Sequence, residues 1–256
     1  MALNNSFLSI KDIKKKYKNN NQEIEVLKGI SFEIEKGEIV SILGVNGAGK
    51  TTLFSIISTL CPATSGDIIF EKESVYKDII SYRKIIGLCP QKPNLDPLMT
   101  IEEAMIFAGK LYGLSSKEAI LKKDLLIEKY NLTKYAKSIP TILSGGYKQR
   151  FVIARTLMHS PKIILLDEPT VGLDPQIRMT LWENILELKK EGITIILTTH
   201  YLEEAEKLSD KICVIHNGNL IAFDKTEELK KEHNLASLES VFLELTKEEN
   251  KKDMLL

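Results

Sequence analysis

Gly44-Val45-Asn46-Gly47-Ala48-Gly49-Lys50-Thr51-Thr52 follows the apolar run Ile39-Val40-Ser41-Ile42-Leu43 and fits the Gly-x-x-x-x-Gly-Lys-Thr pattern of a P-loop. The spacing has a chemical reason. Glycines let the backbone curl around a polyphosphate with its N–H groups inward, and the helix that starts there turns its positive dipole end to the anion. Lys50 can reach the β- and γ-phosphates, and the Thr51 hydroxyl can sit on Mg²⁺. Downstream, Leu53, Ile56, Ile57 and Leu60 recur at helical spacing until Pro62, so strand, glycine turn and helix are expected in that order. A P-loop alone implies only binding of a nucleoside triphosphate.

Working outward, the 256 residues could form one large α/β domain or two small ones. The chain is 43% hydrophobic and 27% charged, as globular proteins commonly are. Its 35 basic residues balance 35 acidic ones, which offers no electrostatic case for a nucleic-acid partner. Cys61, Cys89 and Cys213 are far apart, odd in number and lack metal-ligand spacing, so a reducing compartment is the simpler expectation. No apolar run approaches the roughly 20 residues that span a bilayer. The polar N-terminus lacks a secretion signal, so a membrane function would require another chain.

Upstream of the P-loop, Phe7 to Ile13 and Glu23 to Glu35 alternate as half-buried strands around the polar turn Lys18 to Gln22. Tyr17, expected on the turn, could stack on an adenine ring or anchor a strand end. Ile68-Ile69-Phe70 and Ile85 to Cys89 read as further strands, the second leading to Gln91 and a proline-bearing loop. Thr100 with Glu103, and Ser115 with Glu118, are capping boxes that open two helices. A third helix starts after Leu143-Ser144-Gly145-Gly146. Ile163-Ile164-Leu165-Leu166 and Ile193 to Leu197 have the unbroken apolar character of strands buried on both faces. The first delivers Asp167 and Glu168 at its carboxyl end, and the second delivers Thr198, Thr199 and His200. A helix is expected over Ile177 to Lys190, after Asp174-Pro175. Asn217-Gly218 predicts a hairpin, Thr226 a helix cap, and Leu238, Val241, Phe242 and Leu245 a docked helix that frays from Lys247.

Hydrolysis of a bound triphosphate needs a cation, a positioned water and stabilisation of charge on the transferred phosphoryl group. Asp167 with Thr51 can hold Mg²⁺, Glu168 can orient or deprotonate the water, and His200 can donate to the γ-phosphate. Gln91 can complete the metal shell and sense the γ-phosphate. Each is unremarkable alone, but joined to a full P-loop they form a catalytic set with Lys50. Ser144-Gly145-Gly146 offers a second glycine-rich helix start, able to cap its own helix or grip an anion. One nucleotide needs one cradle, so a second suggests two subunits meeting face to face.

Gly44 to Thr52, Gln91, Leu143 to Arg150, Ile163 to Pro169, Gly172-Leu173-Asp174-Pro175 and His200 together resemble an ATP-binding-cassette (ABC) nucleotide-binding domain. The resemblance covers nearly the whole chain, and Ser-Gly-Gly is its most specific element. It implies an α/β fold, namely a P-loop NTPase (RecA-like) core with an antiparallel β subdomain and an inserted helical subdomain. The cassette would occupy residues 7–235, its helical subdomain about 91–161, and a C-terminal helical tail 236–256.

By the same resemblance ATP and Mg²⁺ are the cofactors. Tyr17 stacks on adenine, and Gly44, Asn46, Gly47, Ala48, Gly49, Lys50, Thr51, Thr52 and Gln91 contact the nucleotide. Ser144, Gly145 and Gly146 contact the ATP of an opposite subunit, and Asp174 lies between the two sites. Tyr147 departs from the glutamine that many members carry, which is expected to change interface detail rather than competence.

The tail and Leu197 to Glu206 resemble ATP-binding subunits of ABC-2 type exporters, the daunorubicin-resistance and sodium-efflux group. That implies a second cassette, identical or paralogous, an integral membrane permease, no nucleic acid, and a peripheral position on the cytoplasmic membrane face. The alternative is a soluble single-cassette ATPase in cofactor assembly or another non-transport role. A small-molecule P-loop kinase is disfavoured by the Ser-Gly-Gly signature and by Glu168 beside Asp167.

Overall fold

A computed structural model describes residues 6–19, 22–92 and 94–253, with side chains to 247. Asn20 and Asn21 of the expected first turn lie outside the described residues. The alternating opening segments form β1 (Leu8–Asn19) and β2 (Gln22–Ile34), which pair antiparallel from Leu8↔Ile34 to Asn19↔Gln22. β4 (Ser65–Phe70) adds to the free edge of β1, and β5 (Glu73–Ser74) adds to β4. Tyr17 belongs to β1, opposite Ile24, rather than to the turn.

The second sheet positions the site. β3 (Ile39–Leu43), β6 (Ile86–Cys89), β7 (Ile163–Asp167), β8 (Thr194–Thr198), β9 (Lys211–His216) and β10 (Asn219–Lys225) lie in the order β10-β9-β3-β8-β7-β6. All neighbours are parallel except the β9–β10 hairpin, whose turn is the expected Asn217-Gly218. The ladder sets Ile42 beside Thr198, Thr198 beside Asp167, and Leu166 beside Cys89. Four adjacent strands therefore end side by side, leading into Gly44, His200, Glu168 and Gln91. Carboxyl ends of parallel strands are where open α/β sheets build their sites.

The helices are α1 (Lys50–Ile57), α2 (Ile79–Ile85), α3 (Ile101–Leu111), α4 (Ser116–Lys129), α5 (Gly145–Thr156), α6 (Pro175–Lys190), α7 (Leu202–Leu208), α8 (Thr226–Glu232) and α9 (Leu238–Asp253). Both capping boxes form, with Thr100 N–H donating to Glu103 Oε2 and Ser115 N–H donating to Glu118 Oε2, each at 2.8 Å. The strands of the second sheet are buried on both faces. Ile164 and Leu166 of β7 pack with α5 and α6 through Phe151, Leu181 and Ile185, while Ile163 and Leu165 face α1 through Leu53 and Ile57.

Three local expectations change. Ile85, expected to open a strand, instead ends α2 (Ile79–Ile85), which forms because Asp78 Oδ1 accepts the Ser81 N–H at 3.0 Å and buried Tyr82 anchors the turn. Thr226 does not cap α8. Lys225, the last residue of β10, takes that position, and the Thr226 hydroxyl is buried without a hydrogen-bond partner. Nor does the tail fray at Lys247, since helix α9 continues to Asp253. Leu238 and Val241 seat its first turns against Ala205, Ile212 and Val214, and the Lys- and Glu-rich continuation is made of good helix formers.

Leu165→Ala removes a fully buried side chain from the centre of the parallel sheet. Denaturant unfolding should show a loss of about 2–5 kcal/mol. A loss below about 1 kcal/mol would mean that this strand is less tightly enclosed than described.

Candidate nucleotide site

The loop between β3 and α1 is shaped by close approach. A Cβ at Gly44 would stand 2.4 Å from the Ile215 carbonyl oxygen, so the chain can pass β9 there only without a side chain. Gly49 occupies the cap position of α1 with φ 110°, a left-handed conformation that favours glycine. The first helical N–H to close back is that of Leu53, onto the Gly49 carbonyl at 2.9 Å. The N–H groups of Lys50, Thr51 and Thr52 precede the ladder and face outward from the helix end, where helix geometry provides no acceptor.

Lys50 is buried, and its ammonium donates to the carbonyl oxygens of Gly44 at 2.7 Å and Val45 at 3.1 Å. Burial pushes its pKa below the ordinary lysine value, while the carboxylates of Glu168 and Asp167 act in the opposite direction. Thr51 is exposed beside it. These groups suit an anion with several oxygens. Among the described residues no three His, Cys, Asp or Glu side chains gather into a metal site on their own. The hydroxyl of exposed Thr51 and the single carboxylate of Asp167 fit Mg²⁺, which keeps several waters and is commonly held by one or two carboxylates together with substrate phosphates. Thr51 and Asp167 would supply the protein's share, and Gln91, expected in the same shell, donates to Glu168 instead.

Opposite the loop, Glu168 takes φ 47°, a left-handed conformation unusual for a glutamate and of the kind that clusters at functional sites. Its N–H donates to the Thr198 carbonyl and to Thr198 Oγ1, both at 3.0 Å. The Thr198 hydroxyl in turn donates to Asp167 Oδ1 at 2.6 Å. One hydroxyl on β8 therefore orients both acids at the end of β7. Gln91 Nε2 donates to Glu168 Oε2 at 2.7 Å, and His200 Nδ1 lies 3.5 Å from Glu168 Oε1.

The resulting cavity, of about 660 Å³, is lined by Gly44, Val45, Asn46, Gln91, Glu168 and His200, with Phe242 of α9 at its wall. It thus brings together one residue or more from each of four strand ends. Of the expected site residues, Gly47 to Thr52 and Asp167 flank this cavity in sequence without lining it, and Tyr17, Ser144, Gly145, Gly146 and Asp174 do not line it either. Tyr17 is exposed, with the Lys15 ammonium 4.9 Å from its ring centroid on one face.

Ser144 precedes α5 in the cap position, but its side chain makes no capping bond, and both Ser144 and Gly145 are exposed. Gly146 has an internal reason to be glycine, since a Cβ there would meet Ile177 Cγ2 at 2.4 Å. Tyr147 turns back into the helical layer, edge-on to Tyr135 at 4.8 Å between centroids and beneath Arg150.

Thr198 is a site residue that sequence order places but does not explain, because its role depends on strand register. Thr198→Val keeps the volume and removes the hydroxyl. Its expected effects are a stability loss of about 1–3 kcal/mol from the unpaired groups left behind and a fall in ATP turnover, both restored by Thr198→Ser. Unchanged turnover in Thr198→Val would show that Asp167 and Glu168 do not need this bond.

The family model described as ABC transporter matches residues 27–171, from β2 through the turn after Glu168. The linearmycin resistance ATP-binding protein of Bacillus subtilis (strain 168) is 40% identical over 222 residues, covering 87% of this chain and 70% of that protein. The Nod factor export ATP-binding protein I of Ralstonia nicotianae (strain ATCC BAA-1114 / GMI1000) is 37% identical over 222 residues, covering 87% and 68%. Among solved structures, a dimeric ATP-binding cassette in a post-hydrolysis state bound to ADP and Pi superposes with a TM-score of 0.77 at 29% identity, over 85% of this chain and 98% of that one. Sequence, fold and the geometry at the P-loop agree, and the chain belongs to the ABC transporter family as an ATP-binding and ATP-hydrolysing subunit.

Proposed function

We propose that this chain is the ATPase subunit of an exporter, and that it works as one of two cassettes closing on ATP to drive a separate membrane permease. The observation that carries the reading is the meeting of Gln91, Glu168 and His200 across the cavity from Gly44 and Asn46. Backbone N–H groups of Gly44 to Thr52 and the Lys50 ammonium bind the β- and γ-phosphates. Thr51, Asp167 and Gln91 hold Mg²⁺, whose charge offsets the negative charge of the phosphate oxygens. Glu168 orients the attacking water and accepts its proton, and His200 donates toward the γ-phosphate. Tyr17 offers its open ring face to adenine.

The second half of each site comes from the opposite cassette. In its support, Ser144 is exposed, makes no side-chain cap for its own helix and does not line the cavity of its own chain. Ser144, Gly145 and Gly146 meet the other subunit's phosphates, and Asp174 lies between the two sites. The dimeric relative bound to ADP and Pi supports the pairing of two cassettes.

Residues 7–235 make the cassette and 236–256 its tail. The helical part, about 91–161, faces the permease. Exposed Leu98, Phe107 and Leu111 support this, beside a groove of about 580 Å³ that reaches Leu88 and Arg155. Export as the direction rests on the resistance and export functions named for the two curated relatives. No helix among the described residues is long and apolar enough to cross a membrane, and association with a permease would hold the subunit at the cytoplasmic face.

Glu168→Gln should lower ATP turnover by roughly 10²–10⁴-fold, the range of general-base catalysis, with ATP affinity kept within a few-fold. Size-exclusion chromatography should then recover an ATP-bound dimer. Turnover at the wild-type rate would remove Glu168 from the mechanism.

A further inference from the structure

Behind the catalytic groups lies a polar cluster that the hydrolysis scheme does not use. Glu204, on α7, is a fully buried carboxylate. Its Oε1 accepts the indole N–H of Trp182 on α6 at 3.0 Å, and its Oε2 has no protein partner in hydrogen-bond geometry. The hydroxyls of Thr199 and Thr170 border the same carboxyl, and the Arg178 charge acts on it from α6. Thr170 is fully buried with an unpartnered Oγ1, and Arg178 Nε is likewise buried and unpartnered. Burial favours the neutral form of the acid, and these neighbours oppose that shift.

The neighbours flank residues that the proposed mechanism uses. Thr170 lies in the turn that begins at Glu168 and ends at Asp174. Thr199 directly precedes His200, and its Oγ1 accepts the Tyr201 N–H at 2.9 Å, shaping the backbone around that histidine. A second arm runs through Arg178, whose guanidinium sits 4.5 Å from the Tyr201 ring centroid, while that ring lies 4.2 Å from the His200 ring. Arg178 N–H also closes the first turn of α6 onto the Asp174 carbonyl at 2.9 Å. Helices α6 and α7, the turn after Glu168 and the segment carrying His200 therefore meet at one side chain.

A carboxylate costs several kcal/mol to bury. An apolar side chain would fill the same space without that cost. We infer that Glu204 is a positioning residue for ATP hydrolysis, tying the His200 segment and the Glu168–Asp174 turn to α6 so that histidine and glutamate reach the phosphate end of the site together. This rests on the role given to His200 above.

The test is a double-mutant cycle between Glu204→Ala and His200→Ala, read as kcat and KM for ATP, with thermal melting and the emission of Trp182, the one tryptophan of the chain, as checks on folding. Glu204→Ala should lower kcat by about ten- to a hundredfold, the scale of a misplaced catalytic group, with KM changed less than about threefold. In the His200→Ala background the same substitution should lower kcat by less than about twofold. Glu204→Gln, which can still accept the indole N–H, should recover part of the loss.

A folded Glu204→Ala with wild-type kcat overturns the inference, as does an equal loss in both backgrounds. Should the alanine variant fail to fold, Trp182→Phe removes the indole donor together with part of a buried ring and, with thermal melting as its folding check, runs the same cycle with the same criterion. Wild-type kcat in His200→Ala alone refutes the reading of His200 rather than the placement of Glu204. In that case a Glu204 loss abolished by Asp174→Ala supports the tie to the turn, and one unaffected by it overturns the inference.

Discussion

The first turn of α1 presents backbone N–H groups that helix geometry leaves without acceptors, and the rest of the site is built to bring an anion to them. Gly44 can lie against the Ile215 carbonyl only because it has no side chain, which lets the loop turn toward the helix. Lys50 adds a buried positive charge whose ammonium rests on the carbonyls of Gly44 and Val45, contacts for which phosphate oxygens would compete. The sheet supplies the opposite wall. Placing β8 between β3 and β7 sets the His200 segment between the P-loop and Glu168, and Thr198 orients both acids through one hydroxyl.

Helix α5 begins with a similar glycine-rich turn, but that turn does not line the cavity. Ser144 makes no cap for its own helix, and its chain's cavity lacks it. Glycine at 146 is required by Ile177 of α6 whatever else it touches, so that position alone says little about a ligand. The informative feature is the exposed, unengaged Ser144 hydroxyl on a helix joined to α6 by that packing. Since α6 also carries Trp182, which donates to Glu204, and Arg178, which packs on Tyr201, the proposed paired site would have both of its halves joined within one chain through the Glu204 cluster.

Much of this was legible in the sequence, for identifiable reasons. β3, β7 and β8 declare themselves because strands buried on both faces tolerate little but Ile, Leu and Val, and their carboxyl ends carry the polar residues. The capping boxes at Thr100 and Ser115 are local rules that the structure follows. What was not legible depends on tertiary placement. Helix α2 has seven residues and is held by burial of Tyr82 rather than by any strong pattern. Strand order and register, which give Thr198 its role, leave no mark on spacing. Glu204 sits among Glu203 and Glu206 in a short helix that reads as solvent-facing, and only the packing of Trp182 against it reveals a buried acid.

The central claim, that the loop at Gly44 to Thr52 is half of a site completed by Ser144 of another subunit, is tested most directly by mixing two inactive variants. Lys50→Ala removes the phosphate-binding lysine, and Ser144→Arg blocks the complementary face. If the sites are shared between chains, a mixed dimer holds one intact site, and ATP turnover of the mixture should rise clearly above that of either variant alone. A mixture no more active than its components, under conditions where mixed dimers are shown to form, would contradict the shared site.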